Sequence, residues 1–203
     1  PPAQEGNAYF NFLASHDGIG LRPVEGKLDS TELFKLIDKM RESGGRISYK
    51  TSQWGEEIPY EINITYLDSL KSTFNGEEKF QIKRFICSHT IMFAMEGIPA
   101  IYIHSFLGTE NDYKAVNAGK ENRSINRFTW DKKDIYKILE DKNSNNFYIM
   151  SKLNNLLNIR SKQPAFHPNA TQFTLNLGDE VFGLWRQDRK RKQSIFSISN
   201  VTS

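Results

Sequence analysis

Apolar positions along the chain fall into short blocks and longer helical stripes. "AYFNFLAS", from Ala8 to Ser15, is aromatic-rich and apolar on both parities. That is the pattern of a strand buried on both faces, as in a parallel sheet. Gly18, Gly20 and Pro23 end it. "LDSTELFKLIDKMRESGG" predicts a helix capped by Asp29 or Ser30, with Leu33, Leu36, Ile37 and Met40 on one face and Gly44 and Gly45 as its stop. "RISY" and "IPYEINI" flank a turn at Gly55 and predict a hairpin or an excursion over a surface, and "YLDSLK" predicts a short helix. From Glu77 to Glu96 an apolar stripe predicts a long helix closed by Gly97. "IPAIYIH", Ile98 to His104, predicts a second buried strand, and a long polar loop follows to Asn126.

Two more helices are predicted in "WDKKDIYKILED" and "NFYIMSKLNNLLNIRSK". Beyond "QPAFHP" the period changes to two, in "TQFTLNL", "VFGLWRQ" and "QSIFSIS". The expected fold class is therefore α/β: βα units around a parallel sheet over residues 1–163, then a small antiparallel β domain beginning at 164–203.

Composition adds little to this picture. Hydrophobic residues make up 38% and charged residues 25%, which suits a packed core. The net charge of +3 is small and dispersed. Its densest run, "RQDRKRK" from Arg186, is interrupted by Gln187 and Asp188 and reads as a solvated hairpin turn rather than a nucleic-acid patch. Cys87 is the only cysteine, so no internal disulfide is expected; it sits in an apolar helical pattern and reads as buried. A reducing, cytoplasmic setting is the expectation. No run approaches the ~20 apolar residues of a membrane span, and the histidines show no metal-ligand spacing. The chain opens at Pro1 and closes inside the strand-like "SIFSISNVTS", so a longer polypeptide is expected.

His16 and Asp17 stand where the first apolar block meets the glycines. At the carboxyl edge of a parallel sheet, loops converge on one pocket. There Asp17 would accept hydrogen bonds from sugar hydroxyls and stabilise a developing oxocarbenium ion, with His16 donating beside it. The plainer alternative is an aspartate capping its own turn. From the dipeptide alone that plainer reading is preferred.

The surrounding segments change the balance. "NFLASHDGIGLRP" resembles the region of the third acidic residue of the α-amylase superfamily, glycoside hydrolase family 13. "YEINITYLDSL", "GIPAIYIHSFLGTENDYKAVNAGKENRSINR" and "RSKQPAFHPNATQF" resemble its sucrose phosphorylase-type subfamily, which includes sucrose, sucrose 6-phosphate and glucosylglycerate phosphorylases. The resemblance implies the last two βα units of a (β/α)₈ TIM barrel and the start of a C-terminal β domain. It implies that Asp17 is the transition-state stabiliser with His16 beside it, and that Arg123 in "NRSINR" holds the far side of a glucosyl ring. The plainer reading of Arg123 is a surface pair with Glu121 or Asp131. Tyr60 and Glu61 fall in the subfamily's acceptor loop, where an aromatic hydroxyl helps hold phosphate and the next side chain meets the acceptor sugar. Many relatives have Gln where this chain has Glu61. His104 and "TENDYK" would line the acceptor side, or only its rim. Trp54 reads as a hydrophobic plug before a sugar-stacking ring.

A retaining enzyme also needs a nucleophilic carboxylate and an acid/base carboxylate. The resemblance places both upstream of the His-Asp motif, so the chain is expected to lack them and to be inactive alone. The intact enzyme is expected to be a glycoside phosphorylase with phosphate as co-substrate, no cofactor and no metal. Its expected partners are a small glucoside and the missing N-terminal part. A hydrolase using water, or a non-catalytic carbohydrate-binding piece, are the alternatives.

Overall fold

The computed structural model describes residues 3–4, 6–74, 76–77 and 79–202. In chain order the elements are β1 (Phe10–Asn11), β2 (Ile19–Gly20), α1 (Ser30–Glu42), β3 (Arg46–Thr51), β4 (Glu57–Asn63), α2 (Tyr66–Ser69), β5 (Ser72–Thr73), β6 (Gly76–Glu77), α3 (Gln81–Ala94), β7 (Ile98–Pro99), α4 (Ile103–Phe106), α5 (Tyr113–Asn117), α6 (Lys132–Glu140), α7 (Asn145–Ser161), β8 (Thr171–Asn176), β9 (Val181–Gln187) and β10 (Ser194–Asn200). Short 3-10 turns lie at Arg22–Val24, Asn122–Asn126 and Pro164–Phe166. The chain divides into two units: Pro1–Phe12, Ile86–Ala100 and Ser151–Ser203 form one, and Leu13–Phe85 with Ile101–Met150 form the other.

In the second unit, α1 starts with a capping box: Asp29 accepts from the Glu32 N–H, and the Glu32 carboxylate accepts from the Asp29 N–H. The reciprocal bonds satisfy two otherwise orphaned donors. Gly44, at φ +90°, takes the left-handed conformation just past the helix end. Ile37 and Met40 face a core with Leu21, Ile47, Ile62 and Ile64, and Leu33 and Leu36 pack against it. Ile47 and Ile62 come from β3 and β4, an antiparallel hairpin that β2 extends into a sheet of order β2-β4-β3. That arrangement matches the amphipathic stripe and the hairpin expected around Gly55.

In the first unit β1 and β7 pair in parallel, Phe10 opposite Ile98. Both strands are far shorter than the apolar blocks predict. They are also exposed: Phe10 keeps 66% of its surface and Ile98 48%. The expectation of burial on both faces is corrected here, because the described residues leave these side chains uncovered, and each strand is also paired along one edge only. The "IPAIYIH" block stops at Pro99, and Ile103–Phe106 turns helical, so His104 belongs to α4 rather than to a strand. The predicted long loop holds α4, α5 and a 3-10 turn. The long helix begins at Gln81 rather than at Glu77, and Glu78 lies outside the described residues. Cys87 is half-buried rather than buried.

β8, β9 and β10 form the expected antiparallel meander, order β10-β9-β8. Phe173, Trp185 and Phe196 sit in one cross-strand row. The opposite parity of β9 carries Leu184 and Arg186 inward. Arg186 is fully buried, which corrects its reading as part of a solvated turn. Its Nη1 donates to Ala94 O at 2.8 Å and its Nη2 to His167 O at 3.0 Å. Arg160 donates to Phe93 O and Gly97 O. Two guanidiniums thus close the carboxyl end of α3, where the last carbonyls and the helix dipole favour cations. Burial, reinforced by the like charge of Arg160, pulls the Arg186 pKa down to about 10, so the side chain stays charged at neutral pH.

Candidate functional site

Ser15 and Gly18 exchange backbone hydrogen bonds of 3.0 Å in each direction. His16 and Asp17 are therefore the two tip residues of a tight turn. Gly18 has φ +98°, and a Cβ there would lie 2.2 Å from Ile62 O, so the approach to β4 needs glycine. Buried neighbours hold the tip's carbonyls. Asn63 Nδ2 donates to Asp17 O at 2.8 Å, and Asn126 Nδ2 to His16 O at 3.0 Å. Arg127 Nε adds a 2.8 Å bond to His16 O. Nothing in this grip involves the Asp17 side chain, which is left to face outward.

The Asp17 carboxylate is one-third exposed and unevenly used. Its Oδ1 lies 3.1 Å from Arg123 Nη1, 3.1 Å from Arg127 Nη2 and 3.3 Å from His16 Nε2. Among the described residues no bond reaches Oδ2. One oxygen is thus anchored by cations while the other remains an open acceptor.

β4 supplies the opposite wall. Ser48 pairs with Glu61 and Tyr49 with Pro59, which leaves Tyr60 as the extra residue of a bulge. A bulge re-aims its side chains, and here Tyr60 and Glu61, though adjacent, both reach Arg123. Glu61 takes the guanidinium fork in two bonds, Nε to Oε2 at 3.0 Å and Nη2 to Oε1 at 2.7 Å. Arg123 Nη2 also donates to Tyr60 Oη at 3.2 Å. Planar, charge-assisted pairing of this kind is the strong form of a salt bridge. The bond to Glu61 first, and then the nearby Asp17 and Tyr60 oxygens, hold the Arg123 pKa above its ordinary value. Arg123 therefore does not make the plain surface pair with Glu121 or Asp131.

The structure brings together four of the residues that the sequence singles out, Asp17, Tyr60, Glu61 and Arg123, with His16 on the same turn. It adds three the sequence reading passed over: Arg127, Asn63 and Asn126. The signal for Arg127 is present in "NRSINR". The Asn122–Asn126 3-10 turn carries Arg123 and Asn126 and ends against Arg127. His104 stands behind the turn, beside a small gap that Ser15, Tyr102 and Asn126 also line. It lies half-buried on α4, with Nδ1 3.1 Å from Thr109 Oγ1 and its ring edge-on to Tyr102 at 5.1 Å. Trp54 is 80% exposed at the hairpin tip, which corrects its reading as a plug.

Burial lowers the His104 pKa below 6.5. Between that lowered value and 6.5 the unfolded chain binds the proton that the folded chain refuses, so stability falls as pH drops below 6.5. Thermal midpoints measured from pH 7.5 to 5 are expected to fall less steeply in His104→Asn, which keeps a polar atom near Thr109 but cannot titrate. Equal slopes in the two proteins would contradict this.

Among the described residues no cluster of three or more His, Cys, Asp or Glu side chains is placed to hold a metal ion. No helix among them is long and apolar enough to cross a membrane.

No family model matches the chain. It is 39% identical over 168 residues to a glucosylglycerate phosphorylase of Escherichia coli K12, covering 83% of this chain and 30% of that protein. It is 38% identical over 205 residues to a glucosylglycerate phosphorylase of Allomeiothermus silvanus, covering 96% of this chain and 37% of the relative. A sucrose phosphorylase of Streptococcus mutans is 29% identical over 77% of the chain and 30% of its own length. The chain spans about a third of the length of the curated relatives it matches. Among solved structures, sucrose 6F-phosphate phosphorylase from Thermoanaerobacter thermosaccharolyticum superposes with a TM-score of 0.68 at 24% identity, over 95% of this chain and 39% of that one. That superposition shows a shared fold.

Proposed function

The chain is a homologue of the glucosylglycerate and sucrose phosphorylases of glycoside hydrolase family 13, and from that kinship we propose that it is part of a retaining α-glucosyl-transferring phosphorylase. In this reading residues 1–163 belong to a (β/α)₈ barrel, and 164–203 begin a C-terminal antiparallel β domain. β1 and β7 are the barrel's last two strands. The unpaired edge that each strand shows among the described residues supports it, as do their exposed apolar side chains, since barrel strands are paired on either edge and covered on both faces. The rest of the same enzyme is the partner that supplies those neighbours, together with the nucleophile and the acid/base carboxylate. The single cysteine favours a cytoplasmic setting.

The observation that carries the proposal is the Asp17 carboxylate, with Oδ1 fixed by two arginines and Oδ2 open. An absent carboxylate attacks the anomeric carbon of the glucoside while the absent acid protonates the leaving oxygen. The anomeric carbon passes through an oxocarbenium-like state, and Asp17 opposes that charge while Oδ2 accepts from ring hydroxyls. Phosphate then attacks the covalent intermediate and releases α-glucose 1-phosphate with net retention. Arg123 and Arg127 hold the Asp17 carboxylate oriented at both steps, and Tyr60 and His16 present donors at the rim. No cofactor enters.

The intact enzyme, incubated with glucosylglycerate or sucrose, is expected to release glucose 1-phosphate only when inorganic phosphate is present. Free glucose at the same rate with or without phosphate would identify a hydrolase and overturn the proposal.

A further inference from the structure

We propose that Glu61 is a positioning residue that acts through Arg123, and that it touches neither the acceptor nor the glucosyl ring. This deepens the phosphorylase reading and rests on it. The family resemblance would have this side chain meet the acceptor sugar. The geometry gives it another occupation. Oε1 and Oε2 are both committed to Arg123, and Oε2 is also 3.4 Å from Asn63 Nδ2. The residue is buried, at 8% exposure, so it offers an incoming hydroxyl little room. What it controls is the plane of the guanidinium. With Nε and Nη2 clamped on one edge, Nη1 is delivered to Asp17 at 3.1 Å.

The same strand steadies both partners of that contact. Glu61 and Asn63 are two residues apart on β4 and share a face. Glu61 holds Arg123, while Asn63 holds the Asp17 carbonyl and receives Ser48 Oγ at 2.6 Å. A shift of the strand would therefore move Asp17 and Arg123 together. The charges also balance: Asp17 and Glu61 against Arg123 and Arg127. A glutamine at position 61 would present one acceptor and one donor to a fork that needs two acceptors, and would leave one positive charge unmatched.

The test is a double-mutant cycle in the intact enzyme, with wild type, Glu61→Gln, Arg123→Ala and the combined variant. Glu61→Gln is expected to lower kcat ten- to a hundredfold in both phosphorolysis and phosphate-free donor hydrolysis. The KM for phosphate, and for the acceptor in the synthetic direction, should stay within twofold. In the Arg123→Ala background the same change should have no further effect. A change confined to the acceptor KM, or kinetic effects that simply multiply, would overturn the assignment. Thermal unfolding of the same four proteins reads the Glu61–Arg123 coupling without turnover, and additive shifts there would also overturn it. A wild-type enzyme that is folded and coupled yet makes no glucose 1-phosphate would instead sink the phosphorylase reading.

Discussion

Asp17→Asn in the intact enzyme is expected to lower glucose 1-phosphate formation on the order of a thousandfold, with the unfolding temperature nearly unchanged. The fold should tolerate the change because the turn is closed by backbone bonds and by Asn63 and Asn126, which grip carbonyls, while Arg127 keeps its bond to His16 O and the amide oxygen can still accept from its Nη2. The amide keeps the shape and loses the charge. Two guanidiniums would then face a neutral group at the point where a sugar cation must form, and the one positive charge that Glu61 does not match would oppose it. Initial rates of phosphorolysis together with a thermal melt decide the matter. Turnover within a few fold of wild type would remove Asp17 from the mechanism.

Arg186→Met is the largest expected effect on stability. The substitution keeps an apolar stem but strips donors from Ala94 O and His167 O, and from Ala170 O and Thr171 O at 3.5 and 3.4 Å. Hydrogen bonds from a charged donor contribute about 1.5–3 kcal/mol each, and a buried acceptor left alone costs more than its bond was worth. A loss of about 3 kcal/mol follows, which in a chain of this size lowers the thermal midpoint by roughly 6–12 °C. Arg186→Lys should recover only part of it, since an ammonium cannot span the same set of carbonyls. A midpoint within a degree or two of wild type would show that water replaces the guanidinium at no cost.

What the sequence made legible depended on how local the cause was. The cap of α1 needs only Asp29 and Glu32, three residues apart, and the β3–β4 hairpin needs only its two strands and the turn between them. Both were readable. The short pairing of β1 with β7 depends on neighbours distant in sequence, and an apolar run alone does not set a strand's length. The burial of Arg186 was readable in principle, because it shares the period-two parity of Leu184 on β9, but the run of charges around it spoke louder. At the site, Asp17 and Arg123 were legible through a resemblance. The clamp of Glu61 on Arg123 was not, because a bulge that displaces Tyr60 leaves no mark in a single sequence. Asn63 and Asn126 escaped for a related reason: an asparagine that grips a distant carbonyl looks like any polar residue.

The exposed ring of Trp54 has a practical consequence. Trp130 is bonded through Nε1 to Thr109 Oγ1, and Trp185 is sandwiched between Phe173 and Phe196. An aqueous quencher such as iodide therefore meets Trp54 first, and its fluorescence is a native optical reporter on the ribbon whose base carries Tyr60 and Glu61. Motion of that ribbon in this chain can be followed by emission, with no label attached.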